Sequence, residues 1–329
     1  MSTNSTEISE VVSSSGHSAL PPWLSGDMAR IEALLLEVAG ASKHPLVAEP
    51  STHLIKAGGK RLRPALVLLS SHAGGTARRA TDLAAAAIEL VHLATLYHDD
   101  VLDETDVRRG VPTAHSKWGV EVAVLAGDYL FACGSALGAD AGGEVPGILA
   151  RAIADVCEGQ IVETSAVGDP RRAVGGYLET IDKKTGALFR AACDLGAATS
   201  GVDGDQRAAL VEYGEHLGRA FQMVDDLLDL TGDPEVTGKI PGTDLREGVF
   251  TLAVLLACQR DDSLATSLLS GDRELSSVLP VLGSTGALDE ALAEARRAAE
   301  AAQTCLQRLP EGPWRAALAD LASGVLAQV

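Results

Sequence analysis

Aromatic side chains are scarce in this chain: four Phe, four Tyr and three Trp among 329 residues, 3% in all. Its core must therefore be built from Ala, Leu and Val, which favours closely packed helices. No stretch alternates Val, Ile or Thr with polar residues, so strands are not expected. Cations are also few. With 27 Lys and Arg against 45 Asp and Glu, the formal net charge is −18, which argues against nucleic acid or an anionic membrane surface as the main partner. No run of 18 or more uninterrupted apolar residues occurs, and the N-terminus lacks the charged-then-apolar order of a signal peptide. A transmembrane segment is therefore not expected. The five cysteines, Cys133, Cys157, Cys193, Cys258 and Cys305, form no Cys-x-x-Cys pair and have no His at zinc spacing. They read as reduced thiols of a cytoplasmic protein.

Helical periodicity is abundant. Residues 1–22 are rich in Ser and Thr, end in Pro21-Pro22, and read as a disordered tail. A single domain over 23–329 follows. Met28, Ile31, Leu34, Leu35 and Val38 share one stripe, and Gly58-Gly59-Lys60-Arg61-Leu62-Arg63-Pro64 reads as a turn launching a helix with Pro64 at its first position. Further helices are expected near 119–138, 146–166, 172–200, 205–231, 248–260, 287–308 and 313–328. The expected fold is an all-α single large helical bundle. Residues 231–247 are long for a connection and leave an acidic cluster directly, which suggests an active-site lid.

Two acidic clusters carry the chemistry. The apolar run Leu83–Tyr97 leads into His98-Asp99-Asp100-Val101-Leu102-Asp103. On a continuing helix those aspartates would lie at 0°, about 100° and about 40° around the axis, so like charges crowd beside apolar neighbours. Oxygen-loving divalent cations relieve that conflict, and Mg²⁺ shared between carboxylates and substrate phosphates is the usual form. A solvated helix end would explain one such cluster. The spacing recurs, however, at Asp225-Asp226-Leu227-Leu228-Asp229 inside a second apolar helix, and two copies read as the jaws of one metal–diphosphate clamp. Arg108-Arg109-Gly110 follows the first cluster and suits a diphosphate.

Taken together, these motifs resemble the trans-polyprenyl diphosphate synthases, the head-to-tail prenyl chain elongases. The resemblance covers about residues 25–260. It rests on the 58–64 and 99–103 motifs, Arg108-Arg109-Gly110, Lys184-Thr185, Phe221-Gln222-x-x-Asp-Asp, Gly238-Lys239 and Asp244-Leu245, in that order. It implies the isoprenoid synthase fold, with a central apolar cavity, and several Mg²⁺ ions per site. By the same resemblance Lys60, Arg63, His92 and Arg109 would bind isopentenyl diphosphate. Arg108, Lys184, Thr185, Gln222 and Lys239 would hold the allylic diphosphate, with Lys184, Arg108 and Gln222 nearest to a catalytic part. Asp99, Asp103 and Asp225 would be direct metal ligands, with Asp100, Asp226 and Asp229 in or beside that shell. A homodimer is implied as well.

One departure stands out: many relatives carry Lys where this chain has Val249, in Gly248-Val249-Phe250-Thr251. Two other readings compete. A class I terpene cyclase normally has Asn and Ser ligands in its second metal motif and needs no isopentenyl site. A non-catalytic subunit of a heteromeric synthase would be expected to have lost part of the clamp, and both clusters are complete. Product length should be set about one turn below Asp99, where Ala94 and Thr95 are small. Long-chain members look similar there, implying a product longer than farnesyl, of about six to ten isoprene units. A floor formed by Phe131 on a facing helix is the other possibility.

Overall fold

A computed structural model describes residues 20–75, 79–233, 241–327 and 329. The chain is helical almost throughout. It opens with a 3₁₀ turn, Pro22–Leu24, and helices α1 (Ser25–Ala39), α2 (Pro45–Lys56), α3 (Leu62–Ser71) and α4 (Arg79–Leu102). A two-stranded hairpin, β1 (Val107–Arg108) and β2 (Val111–Pro112), and the short α5 (Ala114–Trp118) lead to α6 (Val120–Ala141) and α7 (Val145–Ser165). Then come α8 (Val174–Ile181), a π turn (Asp182–Gly186), α9 (Ala187–Ser200) and α10 (Gly204–Thr231). The last elements are α11 (Thr243–Glu247), α12 (Leu252–Arg260), α13 (Asp262–Leu269), α14 (Leu275–Ser284), α15 (Ala287–Leu306) and α16 (Pro313–Leu326).

The scarcity of aromatics shows in how the bundle packs. Helix α4 runs through its centre, with Ala84, Ala85, Ala86 and Ala87 all fully buried, and α6 lies along it. A side chain at Gly134 of α6 would come within 3.0 Å of the Ala87 carbonyl oxygen and 3.3 Å of Val91 Cγ2, so the two helices meet nearly backbone to backbone. On the other side α10 packs between α9 and α15. The two acidic motifs thus stand near the ends of the two longest helices. By length and composition alone α4 and α6 could each cross a membrane, but α4 is mostly buried within the bundle.

Several expectations need correction. Two strands do exist, because Arg109 (φ 53°) and Gly110 (φ 74°) both take the left-handed conformation that a tight two-residue hairpin turn requires. Pro64 is the third residue of α3, not the first. Helix α3 starts at Leu62 after a left-handed Arg61 (φ 48°), and Pro64 still falls where backbone N–H groups lack intrahelical partners. The stretch 172–200 is interrupted by the π turn, and α12 begins only at Leu252. Order begins before residue 23, since Pro22–Leu24 forms a turn whose Leu24 is fully buried. The rest of the expected tail, residues 1–19, lies outside the described residues, as do 234–240 with Lys239. The end of the expected lid, Thr243–Glu247, is helical.

Tyr97 ties the middle of the bundle together. It is 1% exposed; its hydroxyl donates to the Pro50 carbonyl and accepts the Leu54 N–H at 3.3 Å. Tyr97→Phe should therefore cost about 1–3 kcal/mol, the scale of stranding buried polar groups. Chemical denaturation would register it as a lowered midpoint with an unchanged slope.

Candidate active site

The first acidic motif sits where α4 ends. Asp103 lies just beyond the last helical residue, yet its N–H still donates to the Asp99 carbonyl at 2.8 Å, so the helical path continues. Burial pushes the Asp99 carboxyl up to about 6, opposed by Lys184 and Arg108 and assisted by Asp103 and Glu163. Asp103 keeps its side chain open to solvent, yet the protein around it displaces enough water to raise its carboxyl, against the pull of Lys184. Asp100 points a quarter turn away, fully buried, and pairs with Arg108 from the hairpin. Its second oxygen, Oδ2, is buried without a hydrogen-bond partner.

The second motif lies on α10. Asp225 is exposed, whereas Asp226 is buried and accepts from Tyr177 Oη at 2.6 Å and from Gln222 Nε2 at 2.7 Å. Burial raises the Asp226 carboxyl despite both donors. Asp229 accepts the backbone N–H groups of Thr243 and Asp244, each at 3.2 Å, and so anchors α11.

Lys184 and Glu163 stand beside the first motif. Lys184 projects from the π turn and pairs with Glu163 of α7. Burial works against its ammonium, but Glu163, Asp99 and Asp103 keep it above its ordinary value. The charge of Glu163 also reaches Asp226, so the motifs share one electrostatic neighbourhood. Glu247 likewise feels both Asp103 and Asp229, although burial is the main cause of its raised carboxyl. This approach requires Gly159: a Cβ there would lie 2.6 Å from the Lys184 backbone nitrogen. Beside Lys184, Thr185 donates to Gln222 Oε1 at 2.6 Å. A π turn of this kind often marks a functional site.

A cationic recess adjoins the clamp. Arg109 donates to the carbonyls of Leu54 (3.1 Å) and Gly58, with its guanidinium against Gly59, where a Cβ would lie 2.7 Å away. Arg63 stacks on Phe189 at 5.0 Å, its Nε buried without a partner. Burial brings its guanidinium down to about 10, with Glu89 opposing and Arg109 adding. Burial, followed by Arg63 and Arg109, drives His92 well below its ordinary value, so its ring is neutral. Lys60 lies 5.9 Å from the Phe221 ring centre. Arg61, by contrast, is structural: it pairs with Glu32 at 2.8 Å and the buried Glu89 at 3.0 Å. The recess therefore carries an excess of positive charge in an otherwise acidic protein, which suits a diphosphate.

The structure places Asp99, Asp103, Arg108 and Lys184 in one electrostatic group, joins Thr185, Gln222 and Asp226 by hydrogen bonds, and sets Arg63, Arg109 and His92 together in the recess. Ala94 is fully buried, while Thr95 is half-buried with its hydroxyl on the His92 carbonyl. Val249 offers only its N–H, to the Asp244 carbonyl at 2.8 Å. Glu163, Tyr177, Glu89 and Glu247 were not singled out from sequence. The divalent metal passes the test of chemistry. The available donors are carboxylate oxygens, several held in a raised, charge-starved state, and Asp100 has a stranded one. Among the described residues no three acidic, His or Cys side chains are grouped so as to hold an ion by themselves. Asp99, Asp103, Asp225 and Asp229 are the carboxylates of the two motifs that remain partly or fully exposed and could hold it, and a divalent cation would supply neutralising charge.

A pH dependence follows. Asp99 binds its proton more tightly in the folded chain than in the unfolded one. Its contribution to stability is therefore present below about pH 4 and lost as pH rises through about 6. Thermal unfolding of metal-free protein should show this loss, and added Mg²⁺ should restore stability above pH 6 but not at pH 4.

Comparison with known proteins agrees with this geometry. Residues 44–277 match the family model for polyprenyl synthetase. The chain is 39% identical over 303 residues to nonaprenyl diphosphate synthase of Mycobacterium tuberculosis, covering 89% of this chain and 90% of that protein. It is 35% identical over 304 residues to octaprenyl diphosphate synthase of Escherichia coli, covering 90% and 94%. Decaprenyl diphosphate synthase from Rhodobacter capsulatus superposes with a TM-score of 0.88 at 38% identity, over 93% of this chain and 97% of that one. A polyprenyl synthase from Caulobacter crescentus, solved with calcium and isoprenyl diphosphate, gives 0.87 at 36% identity, over 93% and 95%. By sequence, fold and site, the chain belongs to the polyprenyl synthetase family.

Proposed function

We propose that this protein condenses isopentenyl diphosphate with allylic diphosphates, using Mg²⁺, to build an all-trans polyprenyl diphosphate longer than farnesyl. The observation that carries this reading is the first Asp-Asp-x-x-Asp motif beside Lys184, linked to the second through Glu163 and the Thr185–Gln222–Asp226 hydrogen bonds, next to the recess of Arg63, Arg109 and His92. A reaction that ionises one diphosphate and keeps another intact needs two such unlike sites.

On this reading Lys184, Arg108, Thr185 and Gln222 hold the allylic diphosphate, and their positive and hydrogen-bonding groups stabilise charge as it departs. Lys239 would join them. Bound Mg²⁺ supplies the remaining neutralisation. Lys60, Arg63, Arg109 and His92 grip isopentenyl diphosphate, whose alkene attacks the allylic carbon. The proton then lost has no protein base assigned to it, and released diphosphate is the natural acceptor. The complete pair of acidic motifs favours this over a terpene cyclase or an inactive subunit.

Chain length would be set along α4. The small Ala94 and Thr95 put no bulk one turn below Asp99, and the long-chain activities named for the relatives point the same way. A cytoplasmic setting is supported by five unpaired thiols. A homodimer is supported by apolar side chains left exposed on α6 and α7, Leu125 and Ile161 among them.

Purified protein given Mg²⁺, isopentenyl diphosphate and labelled allylic starters should yield products of about six to ten isoprene units, and none with EDTA. Ala94→Phe, alone and with Thr95→Phe, should shorten them toward farnesyl or geranylgeranyl. Cyclic products, no product, or an unaltered size distribution in active variants would each contradict part of this reading.

A further inference from the structure

Tyr177 belongs to none of the sequence motifs, yet it is joined to the second of them. Its ring is 4% exposed, and its hydroxyl donates to Asp226 Oδ2 at 2.6 Å. The other oxygen of Asp226 takes Gln222 Nε2 at 2.7 Å, and Gln222 Oε1 takes the Thr185 hydroxyl at 2.6 Å. The series Tyr177–Asp226–Gln222–Thr185 therefore links α8, α10 and the π turn that carries Lys184. Every polar atom in it has a definite partner, which also fixes the sense of the Gln222 amide.

Helical geometry shows what this linkage can do. Asp225 lies about 100° from Asp226 around the axis of α10, and Asp229 is three residues on. Fixing Asp226 against α8 sets the rotation of this segment, and hence the direction in which Asp225 and Asp229 face. It also holds Gln222 and Thr185 beside Lys184. Resting on the proposed function, we propose that Tyr177 is a positioning residue for the metal–diphosphate clamp. It acts through Asp226 to align the second acidic motif with the allylic-diphosphate side chains. Without its hydroxyl, Asp226 would keep a buried oxygen that has lost its donor, and the carboxylate would turn from Gln222. The Phe ring would still fill the space.

The test compares Tyr177→Phe with Tyr213→Phe. Tyr213 is also buried on α10, but its hydroxyl bonds the Leu318 carbonyl at 2.7 Å, away from the motif. Calorimetry with inorganic diphosphate and Mg²⁺ reads the clamp without requiring turnover. Tyr177→Phe should weaken Mg²⁺-dependent diphosphate binding by about tenfold or more, the scale of one hydrogen bond to a charged group. In steady state it should raise KM for the allylic substrate and leave KM for isopentenyl diphosphate unchanged. Tyr213→Phe should alter neither, though it lowers thermal stability. Wild-type diphosphate binding in Tyr177→Phe, equal rises in both KM values, the same pattern in both variants, or no Mg²⁺-dependent diphosphate binding by the wild type would overturn the proposal. Failure of the wild type to elongate prenyl chains, with diphosphate binding intact, would refute only the proposed reaction.

Discussion

Carboxylates that repel one another in a partly dry place are the constraint on which this molecule turns. Burial is the largest cause raising Asp99, Asp103 and Asp226, and nearby carboxylates add to it: Asp103 at Asp99, Asp225 at Asp226, and Glu163 at all three. A fold without a task for them would replace some by apolar residues, since uncompensated buried charge is costly. Here Lys184 is set beside Asp99 and Asp103, and Arg108 neutralises Asp100. The remaining deficit of positive charge suits multivalent cations that arrive with a diphosphate.

That electrostatic arrangement depends on close backbone approaches. Lys184 reaches the carboxylates because a π turn meets α7 at Gly159, where any side chain would collide with it. Arg109 occupies the space Gly59 leaves empty and closes the hairpin turn from a left-handed conformation. In the recess next door, Arg63 has an unpartnered Nε, and His92 is held well below its ordinary value by burial and by four arginines, Arg63, Arg109, Arg108 and Arg61. One half of the site is thus short of positive charge and the other has it in excess. On the proposed function, that asymmetry would let two diphosphates bind in different roles within 329 residues of net charge −18.

Much of this was legible in the sequence because it is local. The spacing of Asp99, Asp100 and Asp103 on a helix, and its repetition at Asp225–Asp229, needs no tertiary information. The same holds for the Gly-Gly-Lys-Arg-x-Arg turn, although only the structure separates Arg61, which pairs with Glu32 and Glu89, from Arg63, which faces the recess. What was not legible depends on distant segments. Glu163 and Tyr177 are single residues on unremarkable helices and acquire meaning only from what they face. The hairpin is two residues a side, too short for a periodic signal; its one cue was Arg109-Gly110 flanked by valines. The π turn at Asp182–Gly186 leaves no trace in hydrophobic spacing, so 172–200 read as one helix.

The claim that both acidic motifs serve one clamp is tested most directly by removing one carboxylate from each. Asp99→Ala and Asp225→Ala should each lower the rate of elongation at saturating Mg²⁺ by several orders of magnitude, with helical content by circular dichroism unchanged. A lost charge-stabilising contact of this kind is worth roughly 3 kcal/mol or more. The two defects should also fail to add in the double variant, because a clamp with one jaw missing is already open. Near-native turnover in either folded single variant would contradict the account.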